Sequence, residues 1–101
     1  MFKVLERIRD RPFMYFGDRN LEALECFLNG YYCAMCEYDS KDDDGVENFT
    51  AEFGEYLHRR FQWGMSCGPI SVVRKQYENA EEAWAALFVL IGEFRASRVR
   101  V

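Results

Sequence analysis

Two thiols stand three residues apart in the stretch CAMC, Cys33 to Cys36, with further thiols at Cys26 and Cys67. On a helix, that spacing brings two sulfurs to one face, where they can share a zinc ion or cycle through a disulfide. A closed zinc site needs four ligands. Neither Cys26, seven residues before Cys33, nor Cys67 inside a glycine-rich turn supplies a second close pair. Redox chemistry of the thioredoxin kind expects a βαβ setting, which the flanking sequence lacks. The pattern therefore predicts free thiols used as small buried packing residues, with no metal and no cofactor. His58, the sole histidine, has no serine or cysteine at a spacing diagnostic of a nucleophile and its base, and helical register puts it opposite Phe49 and Tyr56. With no catalytic set, the chain reads as a non-enzyme.

The stretch Glu37 to Glu47, EYDSKDDDGVE, gathers six acids and one lysine around a glycine. Oxygen ligands around a glycine are what a twelve-residue calcium loop requires. With Gly45 at the sixth position, Asp42 and Asp44 fall on the third and fifth, but the first is Ser40, the twelfth is Ala51, and Glu52 comes one residue late. Losing the first carboxylate and the bidentate closing glutamate removes most of the cage, so a solvated acidic loop is favoured over a calcium sensor. Crowded like charges do not stabilise a fold, and their use is attraction of a basic partner. The candidate binding residues are Glu37, Tyr38, Asp39, Asp42, Asp43, Asp44 and Glu47. Tyr38 or Trp63 would serve as a buried aromatic anchor, and Glu52, Glu55 and Arg59 form a second candidate surface.

Charge along the chain sharpens that reading. Residues 1–20 carry net +2, residues 21–58 net −9 and residues 59–101 net +3, which together give the overall −4. The acidic middle repels nucleic acid and draws basic protein surfaces. The segment from Met1 to Arg11 is charged and amphipathic rather than a basic start followed by an apolar block, so no signal peptide is expected. Ala83 to Gly92, the longest apolar run, is about half the roughly 20 residues needed to span a bilayer. A cytoplasmic protein without membrane association is the expectation. At 101 residues with 50% hydrophobic and 17% aromatic side chains, the chain has apolar area for one core and no room for a second, giving a single domain over 1–101.

The elements that must position these groups read as helices. Val4, Leu5 and Ile8 line a first short helix that Pro12 ends. Asn20 caps a second, from Leu21 to about Glu37, in which Leu21, Leu24, Leu28, Tyr31 and Met35 repeat at helical spacing; Phe27, Tyr32, Cys33 and Cys36 fill the rest of the circumference, which predicts a central helix. Asn48 caps a third with Phe49, Phe53, Tyr56, Leu57 and Phe61 on one side and a Glu55–Arg59 pair on its flank. Ile70 to Tyr77 holds β-branched residues that suit a strand, but Pro69 suits the first position of a helix and no second strand is available, so a short helix is predicted. Asn79 caps the last, with Ala83, Trp84, Leu87, Leu90, Ile91 and Phe94 in one stripe. The predicted fold is all-α, a compact bundle of four to five helices.

The stretch RPFMYFG, Arg11 to Gly17, is similar to the Arg-Pro-Gly-Met-Tyr-Ile-Gly segment before the first ATP-site helix of gyrase-type ATPases. In that family the next helix carries a glutamate base and, four residues later, a magnesium-binding asparagine, and Glu25 and Asn29 stand at that separation. The likeness stops there. Phe13 replaces a glycine, Asp44-Gly45-Val46-Glu47-Asn48 has one glycine where the family's Asp-x-Gly-x-Gly box has two, and no sheet is predicted. The stretch then reads as a turn in which Pro12 terminates, Met14 and Tyr15 pack into the core, and Gly17 bends the chain.

The Arg-Pro-x-Met-Tyr-x-Gly opening, the LNGYY helix at Leu28 to Tyr32 and the aromatic-rich last helix, in a small acidic chain, also resemble the small bacterial immunity proteins encoded beside secreted toxins. That resemblance implies a cytoplasmic protein that binds a cognate toxin and blocks its active site or substrate surface. Many such toxins are nucleases with basic clefts, for which Asp42 to Asp44 would stand in for phosphates. The alternative is an adaptor or regulatory module docking through the same acidic face without a toxin, and behind it a calcium sensor or small enzyme.

Overall fold

The computed structural model describes residues 2–17, 20–37 and 48–98, and these form six helices: α1 (Phe2–Asp10), α2 (Pro12–Phe16), α3 (Leu21–Glu37), α4 (Phe49–Phe61), α5 (Pro69–Lys75) and α6 (Ala80–Arg98). No strand occurs among the described residues, so the all-α expectation holds. The three long helices α3, α4 and α6 each start at an asparagine. Asn20 Oδ1 accepts the Ala23 amide at 3.0 Å, Asn48 Oδ1 the Ala51 amide at 3.2 Å, and Asn79 Oδ1 the Glu81 amide at 2.7 Å, each satisfying an amide that helix geometry leaves orphaned. The two short helices α2 and α5 have no side-chain cap and begin instead with a proline, whose fixed φ suits the first turn and whose missing N–H costs nothing there.

Helix α5 sits at the middle of the packing, touching α3, α4 and α6. Its Ile70, Val72 and Val73 are buried, which resolves the helix-or-strand alternative in favour of the helix. All six stripe residues of α6, from Ala83 to Phe94, are buried as the spacing predicts. Around Phe94, the rings of Phe2, Phe49, Phe53 and Tyr56 lie with centroids 5.5–6.1 Å away at tilted or edge-on angles, the arrangements that ring quadrupoles favour. Polar clasps surround this aromatic core. Arg95 donates to Glu6 at 2.6 Å between α6 and α1, while Arg60 holds Glu93 and Arg98 holds Glu52 between α4 and α6.

Two expectations need correction, and both concern where apolar side chains go. Pro12 ends α1 but also opens α2, so the stretch read as a turn is itself a short helix. The closing residue of that helix, Gly17, takes φ 79°, a left-handed conformation that glycine adopts without strain. Met14 and Tyr15 do not enter the core: Met14 is 73% exposed, Tyr15 42% and Phe13 60%. Only Pro12 is buried, and Phe16, one helical turn on, is half-buried with its ring 6.0 Å from that of Phe27. A five-residue helix has one inward face, and its first and last residues occupy it.

The second correction is α3. Leu21, Leu24 and Leu28 are buried, but no residue from Asn29 to Glu37 is, and Tyr32, Cys33, Ala34 and Cys36 are exposed. The helix is central only in its first half. Beyond Leu28 the helix runs along the edge of the core, where Tyr31 still packs against it and no side chain is fully buried.

Candidate functional site

Where α3 leaves the core it forms one wall of a cleft of about 640 Å³, whose other walls are α4 and the turn leading into α5. Asn29 and Tyr32 come from α3, and Asn48, Thr50, Ala51, Glu55 and His58 from the start and outer face of α4. The floor is Gly54, Met65 and Pro69. A side chain at position 54 would occupy this floor, since a Cβ there would lie 3.7 Å from Pro69 Cδ and 3.8 Å from Met65 Sδ. The site is thus a notch of small and apolar groups rimmed by hydrogen-bonding ones, the general character of a recognition pocket.

His58 is held from behind. Its Nδ1 lies 2.8 Å from the Trp63 carbonyl oxygen, an acceptor, which assigns a proton to Nδ1 and makes Nε2 the acceptor whenever the ring is neutral. Trp63 is itself fixed by stacking on Phe61, with centroids 4.4 Å apart and planes 15° from parallel. The Tyr32 phenol is pushed above its ordinary value, chiefly by its hydrogen bond and charge interaction with Cys36, then by burial, with Asn48 acting weakly in the opposite direction. It therefore stays a neutral hydroxyl at physiological pH. Glu55 pairs with Arg59 one turn away, as predicted, and this pair is solvent-exposed.

The sequence-derived site residues distribute unevenly. Glu37 is the last residue of α3 and is exposed. Tyr38, Asp39, Asp42, Asp43, Asp44 and Glu47 lie outside the described residues. Of the second candidate surface, Glu55 and Arg59 are exposed, but Glu52 is engaged: one oxygen accepts from Arg98 and the other from the Asn48 amide at 3.3 Å. Glu25 and Asn29, spaced like the catalytic pair of the gyrase-type ATPases, do different work. Glu25 accepts a hydrogen bond from Ser71 at 2.8 Å, tying α3 to α5, whereas Asn29 lines the cleft.

The thiols also depart from expectation. Cys26, Cys33, Cys36 and Cys67 are all free and all exposed, so they are not buried packing residues. Three of them ride on exposed positions of α3, and the fourth lies in the turn before α5 with Lys75 Nζ 3.8 Å from its sulfur. Among the described residues, no group of three or more histidine, cysteine or acidic side chains could hold a metal ion. No described helix is long and apolar enough to cross a membrane.

Sequence reasoning named Asn29, Glu55 and His58 singly but missed the cleft that gathers them. The signal it passed over is Ala51, Gly54, Glu55 and His58 at i, i+3, i+4 and i+7, a second face of α4 that is small and polar where the first is aromatic. Scans against family models, curated proteins and solved structures give no match to this chain.

Proposed function

We propose that this chain is a protein-binding domain of the immunity type, which neutralises a bacterial toxin in the cytoplasm by presenting an acidic surface to a basic active-site cleft. One observation supports this reading most. The stretch carrying six acids begins at Glu37, five residues beyond Tyr32, and is followed directly by Asn48, and Tyr32 and Asn48 both line the cleft. The chain enters and leaves the acidic stretch at the ends of the two helices that wall the notch. The −9 of residues 21–58 supplies long-range attraction, and the notch supplies a place for specific contact.

Steering of this kind weakens as salt shortens the Debye length to about 8 Å at physiological strength. Capture of a toxin encoded beside this chain, from cells carrying the native locus, gives the partner. Replacing Asp42, Asp43 and Asp44 together with Asn should then slow association with it and flatten its salt dependence, while the helical circular dichroism stays unchanged. Association at the unmodified rate at both low and high salt would remove the acidic segment from the interface. Failure to capture any toxin, or toxicity undiminished by co-expression, would end the immunity reading.

A further inference from the structure

Resting on that protein-binding reading, we propose that the cleft between α3 and α4 receives one arginine side chain of the partner protein. The complementarity lies in which groups the cleft offers and how they are layered. Its floor of Gly54, Met65 and Pro69 is apolar and matches the three-carbon stem of arginine, which is comfortable on such a surface provided its head reaches polar groups. Above the floor stand acceptors. Nε2 of His58 is the acceptor end of its ring because Nδ1 is committed to Trp63, and Glu55 brings a carboxylate. Asn29 and Thr50 add an amide and a hydroxyl. Tyr32 contributes an aromatic ring to the wall, a surface on which a planar guanidinium can stack.

Acceptors distributed around a notch call for a ligand with several donors in a fixed fan, which describes a guanidinium and not an ammonium point charge. The sign of the charge agrees, because among the described residues the cleft is lined by the carboxylate of Glu55 and by no lysine or arginine. Arg59, the resident partner of Glu55, is no obstacle: that pair is exposed, and an exposed i, i+4 pair is held weakly enough to be exchanged. The volume, about 640 Å³, exceeds a single side chain and leaves room for the flanking backbone, which points to an arginine within a polypeptide rather than a free cation.

Amide-resolved NMR of the whole chain tests the assignment with three probes: N-acetyl-arginine N-methylamide, its neutral isostere N-acetyl-citrulline N-methylamide, and agmatine, which has the guanidinium but no peptide groups. The arginine amide should shift the Ala51, Gly54, Glu55 and His58 signals saturably, citrulline should bind about tenfold more weakly, and agmatine should fall between them. Glu55→Gln should weaken the arginine amide severalfold. Ala51→Arg, at an exposed position whose backbone amide still serves the Asn48 cap, should abolish binding without moving the thermal midpoint. Citrulline binding as well as arginine, or shifts mapping elsewhere, overturns the proposal, and agmatine binding as tightly as the arginine amide overturns its polypeptide part. Arginine binding intact in a chain that captures no toxin leaves the cleft standing and the immunity reading fallen. Toxin binding slowed by the Asp42, Asp43 and Asp44 replacements, with the cleft silent to arginine, is the reverse.

Discussion

Helices α2 and α5 start alike and end differently. Each opens on a proline, each lacks a side-chain cap, and each carries apolar residues soon after the proline, Phe13, Met14 and Tyr15 in one and Ile70, Val72 and Val73 in the other. In α5 those apolar residues are buried against three helices, whereas in α2 they face outward. Neither composition nor proline explains the difference. What differs is the number of neighbours: α5 lies between long helices on several sides, while α2 leans on α1 and, through Phe16, on Phe27. The contrast separates what a short helix contributes to stability from what it displays.

The sharpest break of this comparison is Ile70→Ala. It empties a side chain 2% exposed and should lower unfolding free energy by about 2 to 5 kcal/mol in a denaturant titration, and Leu28→Ala in the buried half of α3 should match it. A loss below about 0.5 kcal/mol would mean that α5 is not the packing centre. Next in size come the caps. Asn79→Ala leaves the first amides of α6 without their acceptor and should cost about 1 kcal/mol, with Asn20→Ala similar on α3. The smallest effect should come from α2, where Met14→Ser is expected to change stability by less than about 0.5 kcal/mol. A large loss there would show that this helix has partners in the folded protein beyond those described. Along α3 the same contrast can be read chemically: Cys26, Cys33 and Cys36, with Cys67, should all react with a thiol reagent in the native state at rates close to those in denaturant.

These contrasts also mark what the sequence could disclose. The α6 stripe was legible because every one of its six apolar positions follows helical spacing and a cap precedes it. Helix α4 was legible for the same reasons, down to its Glu55–Arg59 pair. Met14 and Tyr15 were misplaced because an apolar residue reports its own preference and not whether a neighbour is present to satisfy it. The outer half of α3 was misplaced similarly, since an apolar circumference looks the same whether the core continues or has ended. The cleft was illegible for another reason. Asn29 and Tyr32, the Ala51 to His58 face, and Met65 with Pro69 are three separate stretches, and no linear motif records that folding brings them together.

The double tie at Asn48 has a consequence for how such a chain can change over generations. Its side chain caps α4, its amide is held by Glu52, and Glu52 is held by Arg98 near the far end of α6, so the start of α4 is secured both from its own first turn and from another helix. Secured in this way, Asn48, Glu52 and Arg98 form one connected unit in which the effects of substitutions do not simply add. A change at one of the three positions therefore constrains which changes the other two accept in later generations.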